Sequence, residues 1–219
     1  MGDCPSTRSP AEDGGTRPGI AEGRSGTRYA AADVTRSFEP HDDPNIDSVW
    51  NWFEFQKSLV REELTRVLRA FPPNGDIHAA PPASKSRFIG LTRGEVNEFF
   101  AAQIGHLELL TMFDLLATAE AILRREFKNR VAARKRDGLS RRFREIHKAF
   151  GDRIRLDEDI LAAMKEEGVA PNAIADFRGA LRLRHWLAHG RHWHPKLGRG
   201  YEPGDVFDIA RALIESIPA

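Results

Sequence analysis

Cysteine is all but missing from this chain. Cys4 is the single one among 219 residues, so an intramolecular disulfide cannot form and a cysteine-ligated metal site is excluded. Long apolar runs are missing too. No window approaches about eighteen uncharged apolar residues, so no membrane span is expected. The N-terminus has no apolar stretch after its first basic residues, so no secretory signal is expected either. Nowhere is an alternation of apolar and polar residues sustained, which argues against strands. Together these absences point to a cytoplasmic protein that does not enter a membrane.

An overall excess of one charge is also lacking, the formal net charge being +1. Locally the balance is different. Between Ala121 and Arg155 thirteen Lys or Arg face four Asp or Glu, a local charge of +9. A stretch like this attracts polyphosphate by field alone, or it is simply a solvated helix face. The segment that follows, from Leu156 to Asp176, is acidic.

Residues 1–43 are rich in Gly, Ser, Thr, Pro, Arg and Asp and carry few large apolar side chains. Such a segment cannot bury enough surface to offset its ordering entropy. It reads as a disordered N-terminal tail ahead of a helical domain over 44–219. In that domain Ile46, Trp50, Phe53, Val60, Leu64, Val67 and Phe71 recur at helical steps, with Lys57 as a break. They predict an amphipathic helix of about 25 residues, stopped by Pro72-Pro73-Asn74-Gly75.

Thr92-Arg93-Gly94-Glu95 has the form of a capping box. It predicts a long helix running toward Arg136, with Gly105 a candidate kink. Phe113, Leu116, Leu123, Phe127 and Val131 form its apolar stripe, and Glu120 falls within it. A carboxylate there must be paired, at an edge, or facing a site, because burying it alone is costly. Shorter helices are expected over 140–150 and 157–167, closed by Gly151 and Gly168. Pro171 suits the first position of the next helix, with Ile174, Phe177, Leu181 and Ala188 on its buried side. Val206, Ile209, Leu213 and Ile217 mark a last one. The fold class is all-α, an antiparallel helical bundle.

One segment differs from the rest: Arg182-Leu183-Arg184-His185-Trp186-Leu187-Ala188-His189-Gly190-Arg191-His192-Trp193-His194. It holds four of the eight histidines and two of the four tryptophans. Imidazoles titrate near neutrality and serve as base or acid when a 2′-hydroxyl attacks its adjacent phosphate. A planar guanidinium suits the charge that develops on phosphorus. A second possibility is a metal site, with His185, His189 and His192 at i, i+4 and i+7 on one helical face. Against it, no acidic residue lies close in sequence, and Arg184 and Arg191 would repel a cation. Ordinary structural roles are the third. Trp186 and Trp193 suit packing better than stacking on bases, and His106 and His147 carry no assignment.

Arg184, the polar His185 after it and His189 resemble the Arg-x4–6-His motif of the HEPN superfamily. The wider run from His185 to Trp193 is similar to that of uncharacterised bacterial HEPN-like proteins, as are Glu120–Arg124, Lys135–Ser140 and Arg155–Leu161. The resemblance implies a HEPN-like bundle that forms a homodimer, so that two motifs line one cleft. It implies a metal-independent endoribonuclease that needs no cofactor and leaves a 2′,3′-cyclic phosphate, in a toxin–antitoxin or phage-defence setting. Arg184 would then bind the scissile phosphate, His189 would act as base or acid, and His185 would orient one of them or contact substrate. Arg182, Arg191 and His192 would contact RNA, and Glu120 would support the site by pairing with Arg184. An antitoxin or regulatory protein is an expected partner. The alternative is a non-catalytic module that binds RNA, a nucleotide or a partner protein. At about 100° per residue, Arg184 and His189 lie about 140° apart around an ideal helix. A long arginine reaching round the helix, or serving the partner's cleft, would reconcile that with a shared site.

Overall fold

The computed structural model describes residues 43–69, 87–151, 153–190 and 197–218. The expected tail, apart from Asp43, lies outside the described residues, as does the stop at Pro72-Pro73-Asn74-Gly75. Among the described residues run α1 (Ile46–Arg69), α2 (Arg93–Ala133), α3 (Gly138–Phe150), a π-turn (Leu156–Ile160), α4 (Leu161–Glu166), α5 (Pro171–Ala188) and α6 (Pro203–Glu215). No strand forms among them. The fold is all-α.

The capping box is present as the sequence predicts. Thr92 Oγ1 accepts the Glu95 N–H at 3.2 Å, and Glu95 Oε2 accepts the Thr92 N–H at 2.7 Å. From there α2 stays helical through Gly105 for 41 residues. It stops short of the expected Arg136 because Arg134 turns left-handed, at φ 52°. The Leu156–Ile160 segment is wider than the expected α-helix: the Ile160 N–H reaches back to the Arg155 carbonyl at 3.3 Å. Asp159 holds that turn by accepting the Arg155 N–H at 2.7 Å.

α2 is the common spar against which α1, α3, α5, α6 and the π-turn all pack. Lys57 pairs with Glu108 at 3.0 Å, and Val67 clusters with Val96 and Phe100, so α1 and α2 run antiparallel. Phe127 meets Phe143 at 4.8 Å while Arg130 reaches Ser140, so α3 also turns back along α2. α6 lies along α2 in the other sense. Its start faces Gly105 and Met112 and its far end meets Arg130, which sets it parallel to α2.

Two separate apolar clusters result. The main one gathers Leu115, Leu116, Leu123, Phe143, Ile160, Phe177 and Leu213, among others. The smaller one is Val67, Phe88, Val96 and Phe100 at the far end of α1 and α2. Phe88 sits in what the sequence presents as a loop, yet it is buried and stacks on Phe100. On α5 the buried residues are Ile174, Phe177, Ala180 and Leu183, whereas Leu181 is half-buried and Ala188 exposed.

Arg130 is the one fully buried charge in the described core. It pairs with Glu126 at 2.5 Å and with Asp137 at 3.1 Å. It also donates to Ser140 Oγ at 3.3 Å and to the Pro218 carbonyl. Asp137 in turn caps α3 by accepting the Ser140 N–H at 2.9 Å. A hydrogen bond from the Ser140 side chain, then that backbone bond and the nearby Arg130, hold the Asp137 carboxyl below its ordinary value.

By length and composition α2 could cross a membrane, with a mean hydropathy of 1.3 over its most apolar window. Glu108 and Asp114 interrupt the stretch with charge. Part of that stretch faces the core through Met112, Leu115 and Leu116.

Candidate functional site

The placement of the Arg/His segment follows from how α5 is seated. Pro171 opens the helix, and Ile174, Phe177, Ala180 and Leu183 commit one side to the main core. That rotation lays Arg184 on the flank facing α2 and turns Arg182, His185 and His189 outward, where all three are exposed. Trp186 is half-buried and packs against the main cluster, as expected of a core residue. Arg178 fastens the middle of α5 by pairing with Asp157 and donating to its carbonyl at 2.9 Å.

Arg184 and Glu120 come together, the pairing that the resemblance implied. Arg184 Nη2 lies 3.1 Å from Glu120 Oε2. The guanidinium also sits 5.9 Å from the centre of the Phe113 ring, one α2 heptad before Glu120. Glu120 holds a second cation, since its Oε1 accepts Arg124 Nε at 2.9 Å. Arg124 in turn donates Nη1 to the Ile154 carbonyl at 3.0 Å, which ties the chain ahead of the π-turn to α2. One carboxylate therefore bridges two guanidiniums, and the trio keeps a net positive charge. Arg184 Nε is buried with no hydrogen-bond partner among the described residues. A buried donor left unmade costs about 1–3 kcal/mol, so an added acceptor here would be stabilised.

His185 and His189 form the other half of the site. Their ring centroids are 4.2 Å apart and tilted by 52°. The His189 N–H still bonds the His185 carbonyl at 3.1 Å. The helix itself ends at Ala188, with His189 as its cap, and Gly190 takes φ 79°, a value glycine adopts without strain. A helical face shared by His185, His189 and His192 needs about one more helical turn than α5 has. Arg191, His192 and Trp193 lie outside the described residues. Among the described residues no three His, Cys, Asp or Glu are grouped to hold a metal ion.

The basic stretch is less available than its charge of +9 implies. Arg124, Arg125, Arg130, Arg142 and Arg155 each pair with a carboxylate, and Arg144 donates to the Lys135 carbonyl. Much of its charge therefore acts as internal fastening. Arg124 and Phe113 had no place in the predicted site. Both sit at helical spacing from Glu120, four residues after and seven before, which is the signal that could have found them.

Comparison with family models, with curated proteins and with solved structures gave no match.

Proposed function

We propose that this chain is a metal-independent endoribonuclease of HEPN type, working as a homodimer. The observation that carries it is the arrangement on α5, an arginine steadied by Glu120 with an unspent buried donor, next to a close imidazole pair. In the proposed reaction an RNA 2′-oxygen attacks the adjacent phosphorus as an imidazole removes its proton. The 5′-oxygen leaves with a proton from an acid, and the products are a 2′,3′-cyclic phosphate and a free 5′-hydroxyl. Arg184 stabilises the charge on the non-bridging oxygens. His189 is the base or the acid, and His185 orients it or contacts substrate. Arg182, exposed on the same helix, contacts the RNA backbone. A cytoplasmic toxin or phage-defence role, held in check by an antitoxin, suits an activity of this kind.

The test is incubation of the purified protein with total RNA in EDTA, beside the Arg184→Ala/His189→Ala double variant. Proton transfer by one positioned side chain is worth about 10²–10⁴-fold, so the variant should lose at least a hundredfold. Cleavage that survives in the variant refutes the site. If neither protein cleaves RNA but the wild type retains it in a gel-shift assay, the chain is a binding module instead.

A further inference from the structure

We propose that the cavity walled by α2, α3 and the segment entering the π-turn binds an amphipathic organic anion, a carboxylate head on an apolar body. The cavity encloses about 390 Å³, within the roughly 300–1,000 Å³ range typical of small-molecule sites. Its floor is apolar, formed by Phe127, Val131, Ile154 and Ile160. Its polar lining is basic, formed by Arg124, Lys128 and His147, and no carboxylate lines it among the described residues. The two halves of this lining select different parts of one molecule.

The basic half calls for an anion. Arg124 is already fixed by Glu120 and by the Ile154 carbonyl, at 2.9 and 3.0 Å. Little side-chain entropy is left for a ligand to remove, which favours binding. Lys128 is exposed at the mouth and free to swing over a head group. His147 stands on the opposite wall, its ring 6.4 Å from that of Phe127. Arg124 and Lys128 both lie on α2, and because α2 and α3 run antiparallel here the His147 imidazole stands across the opening from them.

The apolar half excludes a bare phosphate or a polynucleotide backbone. Either would satisfy the cations but leave Phe127, Val131 and Ile160 against water. A hydrocarbon body covers them, at roughly 25 cal/mol for each Å² removed from water. A neutral apolar ligand would cover the floor and make no use of Lys128, or of the Arg124 donors that Glu120 and Ile154 leave over. Only a molecule with both parts uses the whole lining. The site does not depend on RNA cleavage, although Arg124 is common to this cavity and to the Glu120–Arg184 pair.

The test is titration calorimetry of the full chain with sodium decanoate, alongside decanol and sodium acetate. Decanoate should bind saturably at one per chain, with decanol and acetate each at least about tenfold weaker. Lys128→Glu reverses a charge at an exposed position and should weaken decanoate about tenfold without changing the circular dichroism. Ala132→Trp, at an exposed position of the wall, should fill the opening and abolish binding. Absence of saturable decanoate binding overturns the proposal. So does acetate or decanol binding as tightly as decanoate, or decanoate binding undiminished in both variants.

Discussion

Replacing Arg130 with methionine should be the most damaging single change outside the apolar core. The side chain is 1% exposed and answers four acceptors on three different segments of the chain. Methionine keeps much of the volume and adapts to irregular space, so the loss is chiefly polar. The carboxylates of Glu126 and Asp137 keep 31% and 40% of their side-chain exposure. They can take up water, and neither is left as a bare buried charge. Ser140, fully buried, loses a donor outright, at about 1–3 kcal/mol, whereas Pro218 is exposed and its carbonyl can turn to water. The sum stays below the roughly 3–5 kcal/mol found where removing one partner strands a buried charge. In a domain of this size each kcal/mol moves the melting midpoint by about 2–4 °C. A loss of about 1–3 kcal/mol therefore lowers it by about 2–12 °C, readable by calorimetry. Arg130→Lys keeps the charge but cannot span the same acceptors, and should recover only part of the loss. A drop of less than about 2 °C in the methionine variant would refute the idea that this guanidinium ties α2, α3 and the chain end together.

Two further outcomes are expected. Asp137 has a folded-state pKa below its ordinary 3.8, chiefly through the Ser140 hydrogen bond. Its contribution is therefore fully present above that value and fades as pH falls below it. Acid unfolding followed by circular dichroism should show Asp137→Asn, which keeps the cap, losing less stability than the wild type across that window; equal losses would contradict the assignment. Glu120→Gln cannot bridge two guanidiniums. With Glu120 17% and Arg184 36% exposed, a modest stability loss of about 1 kcal/mol is expected. RNA cleavage should fall about a hundredfold through misplacement of Arg184, and unchanged cleavage would show that Glu120 does not position it.

The helices were legible where the chain carries its own punctuation. Thr92 and Glu95 announce α2, Pro171 opens α5, and Gly151 and Gly168 close the elements before them. What escaped were features set by tertiary contact. Arg130 reads as one more cation in a basic stretch, because nothing local marks it as enclosed. Phe88 reads as loop, because its burial depends on Phe99 and Phe100 from the next helix. The apolar stripe showed Glu120 only as a carboxylate that must be paired, at an edge or facing a site, and Arg184 as its partner came from the resemblance. The end of α5 at Ala188 was hidden by His192, whose heptad spacing extends the pattern beyond the helix. The pairing of Glu120 with Arg124 needed only the four-residue spacing.

The long α2 helix is held by different cores at its two ends. At about 1.5 Å per residue it spans about 60 Å, and Gly105 falls between Phe100 of the small cluster and Met112 of the large one. Glycine weakens a helix interior by about 1 kcal/mol relative to alanine. Melting that starts at Thr92 can therefore halt at Gly105, releasing only Val96, Phe100 and their partners Val67 and Phe88. The distal end would exchange its amide protons on a faster clock than the body. Because Glu120 lies fifteen residues past Gly105 in the chain, Arg184 and the imidazole pair would stay in register while that end opens and closes.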